Sequence, residues 1–267
     1  MGPGEVYANP TVVLVALELR HPDAGPLSAT AQAKLKNFLA ARFPISRPVT
    51  INTVQAAPGM HLEMSSETSP RFMSRESTAS VTFKNSAVMV ETTRYSGYDD
   101  LRRLARLVVD ARQEVGQIDG IERLGIRYIN EVRAPNAGPD LATWDSWINP
   151  LLLGPATVGD AAKLGPAQLQ ALVKYQIAPA STLALRYGAS EGYAVDPAGD
   201  LRRPTPPPTW FFLLDIDSFW TPTDGVPKFT PEGFIAECDR IHEPVRRVYE
   251  SVITDRLREE VLHERER

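Results

Sequence analysis

The sequence contains few of the features that usually point to a cellular location. It has one cysteine, Cys238, in 267 residues, so no disulfide can form within the chain and an oxidising compartment is not indicated. No window reaches the roughly 18 consecutive apolar residues that a transmembrane helix needs. Residues 1–10 have neither the basic nor the apolar part of a signal peptide. We therefore expect a cytoplasmic protein without a membrane partner.

An excess of basic residues is also missing. The chain has 29 Lys and Arg against 33 Asp and Glu, which gives a net charge of −4. A nucleic-acid-binding surface is normally basic, so the composition argues against nucleic acid as a partner. Arg102, Arg103 and Arg106 form a basic run on a predicted helix, but such a run usually faces water.

The chain lacks several motifs of cofactor and metal enzymes. It has no GxxxxGK[ST] phosphate loop and no GxGxxG dinucleotide turn. Cys238 and His242 are four residues apart, as two metal ligands or a nucleophilic dyad would be, but no second ligand pair has matching spacing. A buried, unreactive thiol is the favoured interpretation. The sequence thus predicts no catalytic residue, no metal and no cofactor, and it disfavours an enzyme without excluding one.

Hydrophobic patterns are present along the whole chain and predict an α+β fold. The expected elements are a buried strand over 12–19, a helix over 28–42, antiparallel strands within 49–95, a helix over 98–115, a strand over 121–132, a small helix over 141–153, a hairpin over 169–187, a strand over 210–217 and a long helix from residue 230. We expect largely antiparallel sheets covered by helices. Two similar-sized halves are predicted, residues 1–135 and 136–267.

The last helix has a clear apolar seam. Its apolar residues follow 4-3-4-3-4 spacing, which is typical of a helix that packs on a core or pairs with another helix: Phe234, Cys238, Ile241, Val245, Val248 and Val252. A homodimer through this helix is therefore one possible assembly. Pro244 removes a backbone donor and predicts a kink near Arg240.

Two predicted strands carry charged side chains on one face. Arg123 and Arg127 share a face with Glu131, and Asp215 and Asp217 share a face of another strand. If the strands are neighbours, the arginines meet the aspartates and the pairing sets the strand register. Alternatively, the arginines bind an anionic ligand or the aspartates hold Mg²⁺. Structural pairing is favoured, and these two arginines and two aspartates are the candidate ligand-binding residues.

Four segments in this order resemble a sporadically distributed bacterial protein family that has no assigned activity. They are Asn9-Pro10 before a strand, RLGIRYIN at 123–130, LLDID at 213–217 and ITDRLRE at 253–259. Leu14 and Pro244 depart from the family pattern, in which an acidic residue and a helix-compatible residue are usual. The resemblance transfers no site residue. Patchy occurrence implies mobile genes, which often serve defence or toxin neutralisation, by association only.

The sequence as a whole favours a non-catalytic binding protein whose partner is another protein. No complete catalytic constellation accompanies three apparent pairing surfaces, which are the hairpin over 168–187, the long final helix and the Pro-rich connection over 202–209. The alternative is a metal- or anion-dependent enzyme, or a ligand-binding protein, that uses the two arginines and two aspartates. That alternative requires both pairs to border one cavity.

Overall fold

The computed structural model describes residues 7–55, 63–154, 158–159, 163–165 and 168–263. Its elements in chain order are β1 (Val12–Arg20), α1 (Ala29–Leu39), β2 (Ile45–Ser46), β3 (Val49–Gln55), β4 (Glu63–Ser69), β5 (Arg71–Met73), β6 (Ala79–Phe83), β7 (Ala87–Thr92), α2 (Tyr98–Gln113), β8 (Arg123–Val132), β9 (Ala171–Ala178), β10 (Ser181–Gly192), β11 (Thr209–Trp220), α3 (Pro231–Val252) and α4 (Asp255–Leu257). A π-helical turn, Arg258–Leu262, follows α4.

Nine of these strands form one antiparallel sheet. Their spatial order is β2-β5-β6-β7-β1-β8-β11-β10-β9, while β3 and β4 pair with each other in a separate hairpin. Every neighbouring pair in the large sheet is antiparallel. The predicted α+β fold with a largely antiparallel sheet is therefore confirmed.

The sheet is continuous across the proposed boundary near residue 135. That boundary falls between β8 and β9 in the chain. In space, however, β8 pairs with β1 on one side and with β11 on the other. The two sequence halves thus share one sheet, and their division into separate domains stays a prediction.

Helices α1, α2 and α3 cover one face of the sheet. Helix α2 contacts both α1 and α3, and α3 lies on β8, β10 and β11. Alternate residues of the central strands point into this layer because side chains of a strand alternate between faces; among them are Val15, Leu17, Leu19, Leu124, Ile126, Leu214 and Ile216. Strand β1 buries only this face, whereas its other face is half-buried, so the prediction of a strand buried on both faces was wrong.

The long C-terminal helix α3 packs on the sheet with its apolar seam. It begins after Thr230, whose hydroxyl accepts a hydrogen bond from the Gly233 N–H, and it continues through Pro244 to Val252. Pro244 has no N–H to donate to the Arg240 carbonyl one turn earlier. At the next residue, Ser218 of β11 donates to the Ile241 carbonyl at 2.6 Å. Because most of the seam lies in the core, a homodimer through α3 would have to use its outer residues. That assembly stays a prediction.

The small helix predicted over 141–153 is replaced by two single 3-10 turns, Leu141–Trp144 and Pro150–Leu152. Asp140 caps the first turn by accepting from the Ala142 N–H. Asn149 begins the second turn, and Pro150 cannot donate a hydrogen bond to a preceding turn. The segment therefore forms two short turns instead of one regular helix.

None of the described helices is long and apolar enough to cross a lipid bilayer.

Candidate functional site

The predicted meeting of arginines and aspartates occurs on the sheet face that points away from the helices. Strands β8 and β11 are neighbours, and Arg127 lies opposite Asp217 in their register. Tyr128, the next residue along β8, points into the helical layer and contacts His242 of α3. The alternation of side chains therefore places the candidate charges on the outer face.

Asp215 is buried beneath two arginines. Arg127 donates to its two carboxylate oxygens from Nε and Nη2, each at 2.7 Å, and Arg186 of β10 donates from Nη1 at 2.8 Å. The Asp215 side chain is 4% exposed, whereas the side chains of Arg127 and Arg186 are 44% and 54% exposed. Hydrogen bonding to Asp215 raises the pKa of Arg127, so this guanidinium group remains charged. Analysis of the sequence missed Arg186.

Asp217 belongs to a second cluster. Arg123 donates from Nη2 to Asp217 at 3.3 Å and from Nη1 to Glu18 of β1 at 3.0 Å. The Arg123 guanidinium group also lies 4.6 Å from the centre of the Phe219 ring. Burial raises the pKa of the Asp217 carboxyl, and the charges of Arg123 and Arg127 oppose that shift. Glu18 was not recognised as part of the site.

These contacts suit strand pairing better than metal binding. Asp215 and Asp217 both engage arginine, as the favoured interpretation predicted. In the described part of the chain, no three His, Cys, Asp or Glu side chains are grouped as metal ligands. Buried ion pairs of this kind specify register more than they add stability. The exposed parts of Arg127 and Arg186 are the portions of this site that a partner can reach.

A third charged cluster lies on the same face around Glu131. Its carboxylate accepts from Arg133 and Arg203, each at 2.8 Å, and from the Ala194 N–H at 2.8 Å. The side chains of Glu131 and Arg203 are 2% and 3% exposed. Arg203 belongs to the Pro-rich connection over 202–209. This connection therefore anchors one buried charge, although most of its prolines face water.

On the opposite side of the sheet, a cavity of about 530 Å³ opens between α2 and α3. Its floor consists of residues from β8 and β11 and from the segment before β1. Aromatic side chains form much of its wall: Tyr95, Tyr98, Tyr128, His242 and Tyr249. The sequence pattern gave no sign of this cavity, because its walls come from five separate segments of the chain.

His242 is held between two of these tyrosines. Its ring stacks on Tyr98 with centroids 3.7 Å apart, and its Nδ1 lies 3.0 Å from the Tyr128 hydroxyl. Burial lowers the pKa of His242 to about 4, and the neighbouring Asp239 only partly opposes this shift. The imidazole is therefore neutral at pH 7. Cys238, one turn earlier, is fully buried, and burial raises the pKa of its thiol well above the ordinary value.

Strand β9 forms one edge of the sheet. It pairs with β10 on one side, and no strand among the described residues pairs with its other side. Leu172 and Tyr175 of β9 are 49% and 43% exposed, and Lys174 between them is exposed as well. An edge strand presents backbone N–H and C=O groups to any added strand.

Two other sequence features carry no site in the structure. Residues Gly188 to Gly192 match the letters of the GxSxG nucleophile pattern, but Ser190 lies inside β10 rather than at a strand-to-helix turn. Three arginines in the first part of α2 are engaged by carboxylates, since Arg102 pairs with Asp239, Arg103 with Asp100 and Arg106 with Asp110. Neither feature therefore indicates hydrolysis or nucleic-acid binding.

A scan of known protein families finds no match to this chain, and a search of curated proteins finds none either. The resemblance to the sporadically distributed bacterial family therefore stays a prediction.

Proposed function

We propose that this protein is a non-catalytic binding protein whose partner is another polypeptide, and that the partner adds a strand to the free side of β9. The observation that carries the proposal is the eight-residue edge strand with exposed side chains on both of its faces. Strand addition uses backbone hydrogen bonds for affinity and alternate side chains for specificity. The hairpin was already the first of the three pairing surfaces expected from the sequence.

The charges beside β9 favour an acidic partner strand. Lys174 lies in the same row of side chains as Asp217 on the outer face, and Leu172 lies in the row of Arg186 and Asp215. An acidic side chain placed beside Lys174 would gain a favourable cross-strand pair. A lysine in the middle of an edge strand also disfavours pairing with a second copy of the same strand.

A display experiment tests this proposal without a known partner. Random peptides of strand length are selected against the protein, and the dissociation constants of the enriched peptides are measured by fluorescence anisotropy. We expect alternating apolar residues with an acidic residue between them. The double variant Leu172→Lys/Tyr175→Lys should weaken binding by at least about tenfold, because it replaces both exposed apolar contacts with charge.

A matched variant and a charge reversal serve as controls. Leu151→Lys/Val158→Lys introduces the same charges at residues outside β9 that are 83% and 79% exposed, and it should bind the peptides as the wild type does. Lys174→Glu should shift the selection towards basic peptides. Equal binding by all variants, or no acidic enrichment with the wild type, contradicts the proposal.

A second candidate function is binding of an anionic ligand at Arg127 and Arg186. The exposed parts of both guanidinium groups favour it, since arginine forks bind carboxylate and phosphate. Titration with inorganic phosphate, followed through the arginine Nε–H signals by NMR, should then shift the Arg127 and Arg186 signals saturably. No shift would leave the ion pairs as structural contacts only.

A role of the binding protein in a mobile defence or toxin-neutralising system completes the proposal. It is supported only by the family resemblance of the four sequence segments. Identification of the neighbouring genes tests it, and a neighbourhood of ordinary metabolic genes would count against it.

A further inference from the structure

The fully buried lining residues of the cavity between α2 and α3 are uncharged, whereas its less buried lining residues include charged ones. Thr11, Tyr128 and Asn130 are buried within it, together with Ile216 and Val245. The exposed lining residues Asp99, Glu243 and Arg247 and the half-buried Arg246 and Glu250 carry both signs of charge. Burial of an unpaired ion in such an interior is costly, so the interior suits a neutral ligand.

One group of polar atoms in the cavity is already satisfied. Tyr249 and Thr11 share a hydrogen bond of 2.7 Å, Thr11 lies 3.2 Å from the Asn130 side-chain oxygen, and Asn130 donates to the Leu214 carbonyl at 2.9 Å. Thr11 has one proton, which it donates to Asn130, so Tyr249 donates to Thr11. These hydroxyl and amide groups therefore already have hydrogen-bond partners within the protein and do not require a ligand.

His242 differs, because one of its nitrogens remains available. The buried Tyr128 hydroxyl lies 3.0 Å from His242 Nδ1, and Tyr95 is its second hydrogen-bond partner. When Tyr128 donates to Nδ1, the neutral imidazole carries its proton on Nε2. No described residue hydrogen-bonds to Nε2, and His242 lines the cavity. In this tautomer, His242 Nε2–H is a donor available to a ligand in the cavity.

We infer that this cavity binds an uncharged, planar aromatic compound whose carbonyl oxygen accepts a hydrogen bond from His242 Nε2. The volume of about 530 Å³ lies among pockets that hold small organic molecules, roughly 300–1,000 Å³. The rings of Tyr95, Tyr98, Tyr128 and Tyr249 offer stacked and edge-on contacts to a flat ligand. The inference is independent of strand addition at β9, which lies at the edge of the sheet.

Two bicyclic probes of similar size test the inference. Coumarin is neutral and has a carbonyl acceptor, whereas 2-naphthoate is an anion. Binding is followed by saturation-transfer NMR titration of the full chain at pH 7.5. We expect coumarin to bind saturably with a dissociation constant below about 1 mM, as suits a ligand of this size, and 2-naphthoate to bind at least about tenfold more weakly. Absence of saturable coumarin binding, or tighter binding of 2-naphthoate, overturns the inference.

Two variants locate the binding. Val12 lines the cavity and is half-buried, so Val12→Trp should fill the space and abolish coumarin binding. Val158→Trp makes the same change at an exposed residue and should leave binding unchanged. His242→Phe keeps a ring against Tyr98 but removes the donor, and it should weaken coumarin binding about tenfold, the loss of one hydrogen bond.

Circular dichroism of each variant shows whether it folds. If Val12→Trp does not fold, His242→Phe carries the test alone. Wild-type coumarin affinity in a folded Val12→Trp or in His242→Phe overturns the assignment of the ligand to this cavity and this donor.

Discussion

The buried Glu131 carboxylate forms ion pairs with two arginines from different parts of the chain. Arg133 lies two residues later, just after the end of β8, whereas Arg203 belongs to the Pro-rich connection more than 70 residues later. The ion pair between Arg247 and Glu243 on α3 is exposed instead, with side chains 72% and 60% accessible. Removal of one partner costs more free energy when the remaining charge is buried away from water. Mutation of the buried pair should therefore destabilise the protein much more than mutation of the exposed pair.

Arg203→Met should destabilise the protein by about 3–5 kcal/mol, since it leaves the Glu131 carboxylate buried with one arginine fewer. Chemical unfolding monitored by circular dichroism measures this loss. Arg247→Ala, as the exposed control, should change the free energy of unfolding by less than about 1 kcal/mol. Adding Glu131→Gln to Arg203→Met should restore part of the lost free energy of unfolding. A double variant that is less stable than Arg203→Met alone would contradict this account.

His242 makes stability depend on pH. Its pKa is about 4 in the folded protein against 6.5 for the ordinary group. Between these two pH values, His242 is therefore protonated in the unfolded chain but neutral in the folded protein. Its stabilising contribution is complete above pH 6.5 and is lost progressively as the pH falls towards 4. Because a tenfold change in proton affinity corresponds to about 1.4 kcal/mol, the loss of stability amounts to roughly 3 kcal/mol.

Urea unfolding from pH 7.5 to pH 4 checks this expectation. His242→Phe should lose less stability over that range than the wild type. His21 serves as an internal reference, because burial also lowers its pKa and it is present in both proteins. Parallel pH profiles for the two proteins would show that His242 does not titrate as described.

Local spacing predicted which charges share a face, but not all of their partners. Arg123, Arg127, Asp215 and Asp217 follow from the two-residue period of a strand. Arg186 and Glu18 come from β10 and β1, and their positions depend on the register of pairings between distant segments. No short sequence pattern carries that register. The candidate charged site was therefore only partly predictable, and the cavity was not predictable at all.

The starts of helices were predicted where a side chain caps the backbone. Ser28 and Thr230 both accept hydrogen bonds from N–H groups in the first turn, as their positions before apolar periodic segments indicate. Helix α2 differs. It begins after Gly97 without a side-chain cap, and the Ser96 hydroxyl contacts Asp100 instead.

Thr230→Ala should destabilise the protein by about 1 kcal/mol, because it removes the acceptor for the Gly233 N–H at the start of α3. Thermal unfolding measures the change. Thr223→Ala, at an exposed threonine outside any helix, is the matched control and should leave stability nearly unchanged. A control variant as unstable as Thr230→Ala would rule out capping as the cause.

The whole molecule is organised around a sheet that both sequence halves build. The α+β class, the antiparallel pairing and the long final helix followed from periodicity and turn residues. The strand order did not, because β8 lies between β1 and β11, which are more than 180 residues apart in the chain. Such neighbours are chosen by packing of the completed core rather than by local preference.

The shared sheet predicts a single cooperative unfolding transition. Separation of the halves would break the pairing of β8 with β11 and remove α3 from the core. Differential scanning calorimetry should therefore give a calorimetric enthalpy close to the van't Hoff enthalpy. Two resolved transitions would instead support independent domains at 1–135 and 136–267.

The Pro-rich connection and the residues just before it reach far from the strands that they join. Asp200 pairs with Arg71 of β5, and Arg203 meets Glu131 of β8, although this segment itself leads only from β10 to β11. Recombination between diverged genes at a point near codon 135 would inherit Arg71 and Glu131 from one parent and their two partners from the other. Viable chimaeras should then be those in which both parents agree at these four positions.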